Sequence, residues 1–129
     1  SFEYDFSSCP DLVIPLAVLC AGLKIPAKFI GVGNLRIKES DRLVSIREEL
    51  KKIGADVKVF EDSIIIEPTS RKFSNEIFHS HNDHRMTMSL ASLVLIYDDI
   101  FIDDHLTVNK SYPDFWRQFR SAGFSCELI

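Results

Sequence analysis

The chain has 129 residues, 46% of them hydrophobic, with 19 acidic against 15 basic side chains and a formal net charge of -4. That is enough apolar material for one compact domain, and it excludes a disordered segment. With no basic stripe or run of like charge, nucleic acid is not an expected partner; the apolar runs at 12–23 and 86–97 are too short to span a bilayer, so no membrane partner is expected. The chain has no initiator Met and opens on "SFEYDF", where Phe2, Tyr4 and Phe6 alternate as in a strand over 2–6, so it reads as a fragment of something longer. Periodicity then predicts an apolar helix at about 11–23, a strand at 27–32 and an amphipathic helix at about 40–53. A hairpin follows, formed by "ADVKVF" and "SIIIEP" and joined through Glu61 and Asp62. After a loop from Pro68 to Lys72 the order returns: a strand near 76–79, an apolar helix at 84–97, a strand at 100–102 with an extension to Val108, a helix at 112–122 and a strand at 125–129.

The second half repeats the first. Asp11 precedes Lys38 by 27 positions, and Asp83 precedes Lys110 by the same 27. Each Asp opens an apolar helix, where it suits the free N–H groups as a cap, and each Lys closes a strand. Gly54 and Gly123 stand where the second helix of each unit needs a left-handed stop. The expected fold class is α/β, with two copies of a βαβαβ unit, the first carrying an extra hairpin strand. Unit 1 covers about 1–69 and unit 2 about 73–129. In helix 40–53, Leu43, Ile46, Leu50 and Ile53 share one face while Arg47, Glu48, Lys51 and Lys52 lie away from it, which marks a surface helix. Helices 11–23 and 84–97 are apolar nearly all round and are expected to be buried.

Two segments concentrate chemistry. In "NLRIKESDR" at 34–42, Lys38, Glu39, Asp41 and Arg42 crowd a strand-to-helix turn; in "NDHR" at 82–85, four polar side chains stand directly ahead of an apolar helix. Charged groups gathered at helix starts make an anion site, because backbone N–H groups and guanidinium forks both favour phosphate or carboxylate. Locally, the bland alternatives stay open: Ser40 or Asp41 as a helix cap, Asp11 as a cap, Lys110 as a solvated lysine. The spacing His79-x-His81-x-x-His84 lacks the i, i+4 pair that would fix two imidazoles on one helix face, so no metal is expected. Phe115, Trp116 and Phe119 read as packing residues, and Cys9, Cys20 and Cys126, odd in number and far apart, as reduced thiols of a cytoplasmic protein.

Four segments, in order, resemble the 3-phosphoshikimate 1-carboxyvinyltransferase (5-enolpyruvylshikimate-3-phosphate synthase) family: "CPDL" around Asp11, "NLRIKESDRL" at 34–43, "HNDHRMTMSLASLVL" at 81–95 and "KSYPDFW" at 110–116. The resemblance covers essentially the whole chain, and "KESDR" with "NDHRM" is its specific part. It implies part of the C-terminal lobe of an enolpyruvyl transferase, an inside-out α/β barrel with buried helices and outer sheets, whose N-terminal lobe is missing here and would be the chain's partner. It further implies transfer of the enolpyruvyl group of phosphoenolpyruvate to the 5-hydroxyl of shikimate 3-phosphate, with release of phosphate and no metal or organic cofactor. Asp11 would act at the hydroxyl and Glu39 would deliver a proton, with Lys110 beside it as a second proton carrier or phosphate contact. Arg42 and Arg85 would hold phosphoenolpyruvate, Asn34 and Lys38 would contact shikimate 3-phosphate, and His84 would lie near the site. Ser40 stands where the family commonly has Thr, and "CPDL" is a loose version of its segment. The alternatives are transfer to UDP-N-acetylglucosamine and a non-catalytic anion-binding domain of the same fold; the fragment alone is expected to be inactive.

Overall fold

A computed structural model of the chain describes residues 1–38 and 41–128. Its elements are β1 (Phe2–Asp5), a 3-10 turn (Pro10–Leu12), α1 (Val13–Gly22), β2 (Ala27–Ile30), a 3-10 turn (Gly33–Ile37), α2 (Arg42–Lys51), β3 (Ala55–Val59) and β4 (Ser63–Pro68). Then come α3 (His84–Ala91), 3-10 turns at Ser92–Leu95 and His105–Lys110, and α4 (Phe115–Ser121).

Alternation along the first four strands builds one sheet in the order β1-β2-β4-β3. β1 and β2 run parallel through the α1 crossover, and the β3–β4 hairpin adds antiparallel to β2, with Phe29 opposite Ile64. Ala27, Phe29, Ala55, Val57, Ile64 and Ile66 point to the covered face, while Lys28, Asp56, Lys58 and Glu67 face water. A fully buried Phe such as Phe29 contributes about 2–3 kcal/mol by removal from water. α1 and α2 lie against this face, and α1 packs against α3. Gly54 ends α2 at φ +83, and an added Cβ there would stand 2.2 Å from the Arg71 carbonyl oxygen; Gly123 follows α4 at φ +106. Both glycines thus stop their helices as expected.

The second half lacks the strands expected of it. A shift of 72 positions carries Asp11 onto Asp83 and Lys38 onto Lys110. The same shift carries Phe6, fully buried, onto Phe78, fully buried, and takes Gly33, which opens one 3-10 turn, onto His105, which opens another. Of the strands expected at 76–79 and 100–102, the structure has a single parallel bridge, Phe78 to Ile102. The expected extension to Val108 is the 3-10 turn His105–Lys110, and 125–128 is not a strand; Ile129 lies outside the described residues. The reason is pairing. β2 gains a second neighbour from the hairpin, whereas the strand pair at 78 and 102 has no hairpin beside it, and an isolated pair of strands is marginal.

Burial of the two apolar helices is also incomplete. α1 buries Val13, Ile14, Ala17 and Val18 but exposes Pro15 and Leu19, in line with exposed Leu12 and Leu23 at its ends. α3 is helical only to Ala91 and then tightens into the turn Ser92–Leu95, leaving Leu95 and Ile96 exposed. No helix among the described residues is long and apolar enough to cross a membrane.

Candidate active site

The start of α3 organises the site. Asp83 precedes the helix in extended conformation, and its Oδ1 accepts the Arg85 backbone N–H at 3.0 Å, the capping role expected of it. Its carboxylate also receives Arg42, with Nε at 2.7 Å from Oδ2 and Nη2 at 3.4 Å from Oδ1. The two side chains are 3% and 0% exposed, so this is a buried ion pair joining the first turn of α2 to the first turn of α3. Arg42 was expected to hold phosphoenolpyruvate; in this chain it lies beneath the surface, held in one orientation by Asp83.

Asp11 does not cap. α1 starts at Val13, and its N-cap position is Leu12, with no side-chain cap, because the 3-10 turn Pro10–Leu12 turns the Asp11 carboxylate outward. There it meets Arg85, Nη2 to Oδ2 at 3.1 Å, with side chains 35% and 58% exposed for Arg85 and Asp11. An ion pair so open to water contributes under about 1 kcal/mol, and both groups stay accessible to a ligand. Asp41, by contrast, does cap: its Oδ1 accepts the Val44 N–H at 3.3 Å.

The 3-10 turn His105–Lys110 is fastened to α3 at three points. The buried hydroxyls of Thr87 and Thr107 lie 2.7 Å apart, the His84 ring pairs with the Ser111 hydroxyl, and Lys110 Nζ donates to the Asn82 carbonyl. This brings Lys110, far away in sequence, to the start of α3. Asn34 and Lys38 are exposed in and just after the turn Gly33–Ile37. Glu39 lies outside the described residues, between Lys38 and Asp41. The structure therefore draws Asp11, Arg42, His84, Arg85 and Lys110 together around 82–85.

Several residues at this site were not singled out from the sequence. Ser111, partner of His84, follows Lys110 directly in "KSYPDFW". Glu49 is 1% exposed; its Oε1 accepts from Lys52 Nζ at 2.6 Å and from the His79 N–H at 2.8 Å, and its Oε2 lies 2.6 Å from His81 Nε2. Helical spacing was the available signal, since position 49 shares the buried face with 42, 46, 50 and 53. Asp103 accepts the Ser80 N–H at 2.7 Å and meets the His79 ring at 2.8 Å. Burial opposes its charge, but the Ser80 and His79 hydrogen bonds outweigh this and hold the carboxyl below its usual range. Between these anchors His81 and Asn82 adopt φ of 54 and 55, a left-handed pair that costs roughly 1 kcal/mol or more per residue. Such a turn persists only where its surroundings hold it.

Among the described residues, ligand atoms of Glu48, Glu49 and His81 lie within 4.8 Å of one another. Lys52 already places an ammonium on Glu49, which opposes a second cation there. A surface cavity of about 420 Å³, lined by residues including Ile100, Phe101, Trp116 and Phe119, includes none of Asp11, Arg42, His84, Arg85 or Lys110. Its lining is mainly apolar and offers no comparable anion chemistry.

The chain matches the family model described as EPSP synthase (3-phosphoshikimate 1-carboxyvinyltransferase) over residues 2–119. The chain belongs to the EPSP synthase family. It is 45% identical over 120 residues to a 3-phosphoshikimate 1-carboxyvinyltransferase of Clostridium novyi, covering 92% of this chain and 27% of that relative. A protein of the same name from Bacteroides fragilis is 36% identical over 128 residues, covering 98% of this chain and 31% of the relative. An EPSP synthase structure from Acinetobacter baumannii superposes with a TM-score of 0.79 at 32% identity, over 92% of this chain and 28% of that one. The fold is thus a mixed α/β part of the larger enolpyruvyl transferase fold, and the chain spans less than a third of the curated relatives it matches.

Proposed function

We propose that the longer EPSP synthase to which this chain corresponds transfers the enolpyruvyl group of phosphoenolpyruvate to the 5-hydroxyl of shikimate 3-phosphate and releases phosphate. The observation that supports this reading most is the Asp11–Arg85 pair at the start of α3, with Lys110 docked on Asn82, in a chain of this family. A carboxylate, a guanidinium and an ammonium share one helix start, where the dipole adds positive potential. In this reading Asp11 takes the proton of the attacking hydroxyl, Glu39 delivers one to the methylene carbon, and Lys110 serves as a second proton carrier or phosphate contact. Arg85 holds phosphoenolpyruvate by its planar fork, and Arg42, buried on Asp83, lies beneath the site. Asn34 and Lys38 contact shikimate 3-phosphate, and His84 shapes the site from its pairing with Ser111.

The chain provides one wall of this site, and the N-terminal lobe of the same protein the other. The division into unit 1 (1–69) and unit 2 (73–129) belongs to the same proposal, supported by the shared register of Phe6 with Phe78 and of the two 3-10 turns. A cytoplasmic location fits the three free cysteines. The test is phosphate release by the full-length protein with both substrates, then by this chain alone, and then by this chain mixed with the separately expressed N-terminal portion. Turnover by the full-length protein and by the mixture, with none from the chain alone, is expected. In the full-length protein Glu39→Gln should lower kcat far more than substrate affinity. Turnover by the chain alone would refute the shared site.

A further inference from the structure

We infer that Glu49 is a positioning residue: a buried carboxylate that sets the turn 79–83 from behind and so fixes the site at the start of α3. α2 grips this turn twice. Arg42 in its first turn holds Asp83, and Glu49, two helical turns further along the same face, holds the His79 N–H and the His81 ring. Lys52 reinforces the second grip by bridging Glu49 and the Ile77 carbonyl at 2.8 Å, and Asp103 holds the Ser80 N–H and the His79 ring as well. The stretch between the grips contains the left-handed pair His81 and Asn82, and the Asn82 carbonyl is the dock for Lys110. Releasing Glu49 frees that pair to relax toward ordinary backbone angles. Asn82 then moves, Lys110 with it, and the Arg85 N–H shifts against its cap. A displacement of about 1 Å at a positioned group costs up to about 100-fold in rate, although Glu49 touches no substrate.

The inference rests on the transfer reading above, and the test separates the two. Full-length wild type, Glu49→Gln, His81→Phe, His81→Gln and the exposed neighbour Glu48→Gln are compared by phosphate release and by hydrogen exchange over 77–85. For Glu49→Gln, exchange should quicken at 79–83 while β2 and β4 stay protected, and kcat/KM per folded molecule should fall by about 10-fold or more. His81→Phe should follow it, His81→Gln should regain part of the loss by restoring an N–H donor, and Glu48→Gln should match wild type. A Glu49→Gln enzyme with lower thermal stability but kcat/KM within about 2-fold of wild type would reduce Glu49 to a stabilising residue and overturn the inference. If Glu49→Gln fails to fold, His81→Phe decides: wild-type exchange and turnover in that variant would equally overturn it. Wild type without turnover would sink the transfer reading alone, and exchange at 79–83 would still decide the role of Glu49.

Discussion

Replacing Asp83 by Asn removes one charge and almost no volume from the most buried ion pair described in the chain. Asn caps helices about as well as Asp, so the hydrogen bond from the Arg85 N–H survives and the capping contribution largely cancels. What is lost is the carboxylate 2.7 Å from Arg42 Nε, with the two side chains 0% and 3% exposed. Removing one partner of a buried pair destabilises by about 3–5 kcal/mol, because the other charge stays out of water. Arg42 has further interactions of its own, which argues for the lower end, about 3 kcal/mol. For a domain whose total stability is of order 5–15 kcal/mol that is a large fraction, and at about 4 °C per kcal/mol Tm should fall by roughly 12 °C. Asp83→Ala should cost about 1 kcal/mol more by losing the cap as well. Urea unfolding followed by circular dichroism, with the slope compared between variants, gives these differences. A loss below about 1 kcal/mol for Asp83→Asn would show that the pair does not hold α2 to α3, and the account of how Arg42 is oriented would fail with it.

Asp11→Asn should do the reverse in the full-length protein: the open pair with Arg85 contributes so little that Tm should barely move, while phosphate release falls by about 100-fold or more. Unchanged turnover would remove Asp11 from the proposed chemistry. Asp103, held below the usual carboxyl range, contributes stability that is present above the unfolded value near about 4 and is lost as pH falls through the folded value. Asp103→Asn should therefore be less stable than wild type at pH 7, with the gap closing in acid; a gap independent of pH would refute the linkage. Gly54→Ala should destabilise by more than about 1 kcal/mol, since it combines a left-handed φ with a Cβ driven onto the Arg71 carbonyl. Gly123→Ala, left-handed in open space, should be the milder change, and equal Tm losses would contradict the packing argument.

The sequence by itself determined what depends on near neighbours in the chain. Alternation specified β1 to β4, helical spacing specified the buried face of α2, and the glycines after α2 and α4 marked their stops, because these are set by backbone sterics and by which face meets water. The crowding of polar side chains at "KESDR" and "NDHR" is a property of the sequence alone, and the resemblance in those motifs agrees with the family match. Only tertiary structure decided how equivalent residues diverge. Asp11 and Asp83, 72 positions apart, were read as equivalent, yet Asp83 is buried because Arg42 at the start of α2 reaches it, whereas Asp11 stays 58% exposed beside Arg85. The strands of the second half depended on a neighbour that the second half lacks, so alternation near 76–79 and 100–102 yielded one bridge. Glu49 lies on the buried face of α2 by helical spacing, but its partners come from the turn 79–81, some thirty residues away. A buried carboxylate is tolerated only where such partners arrive, and no local pattern records their arrival.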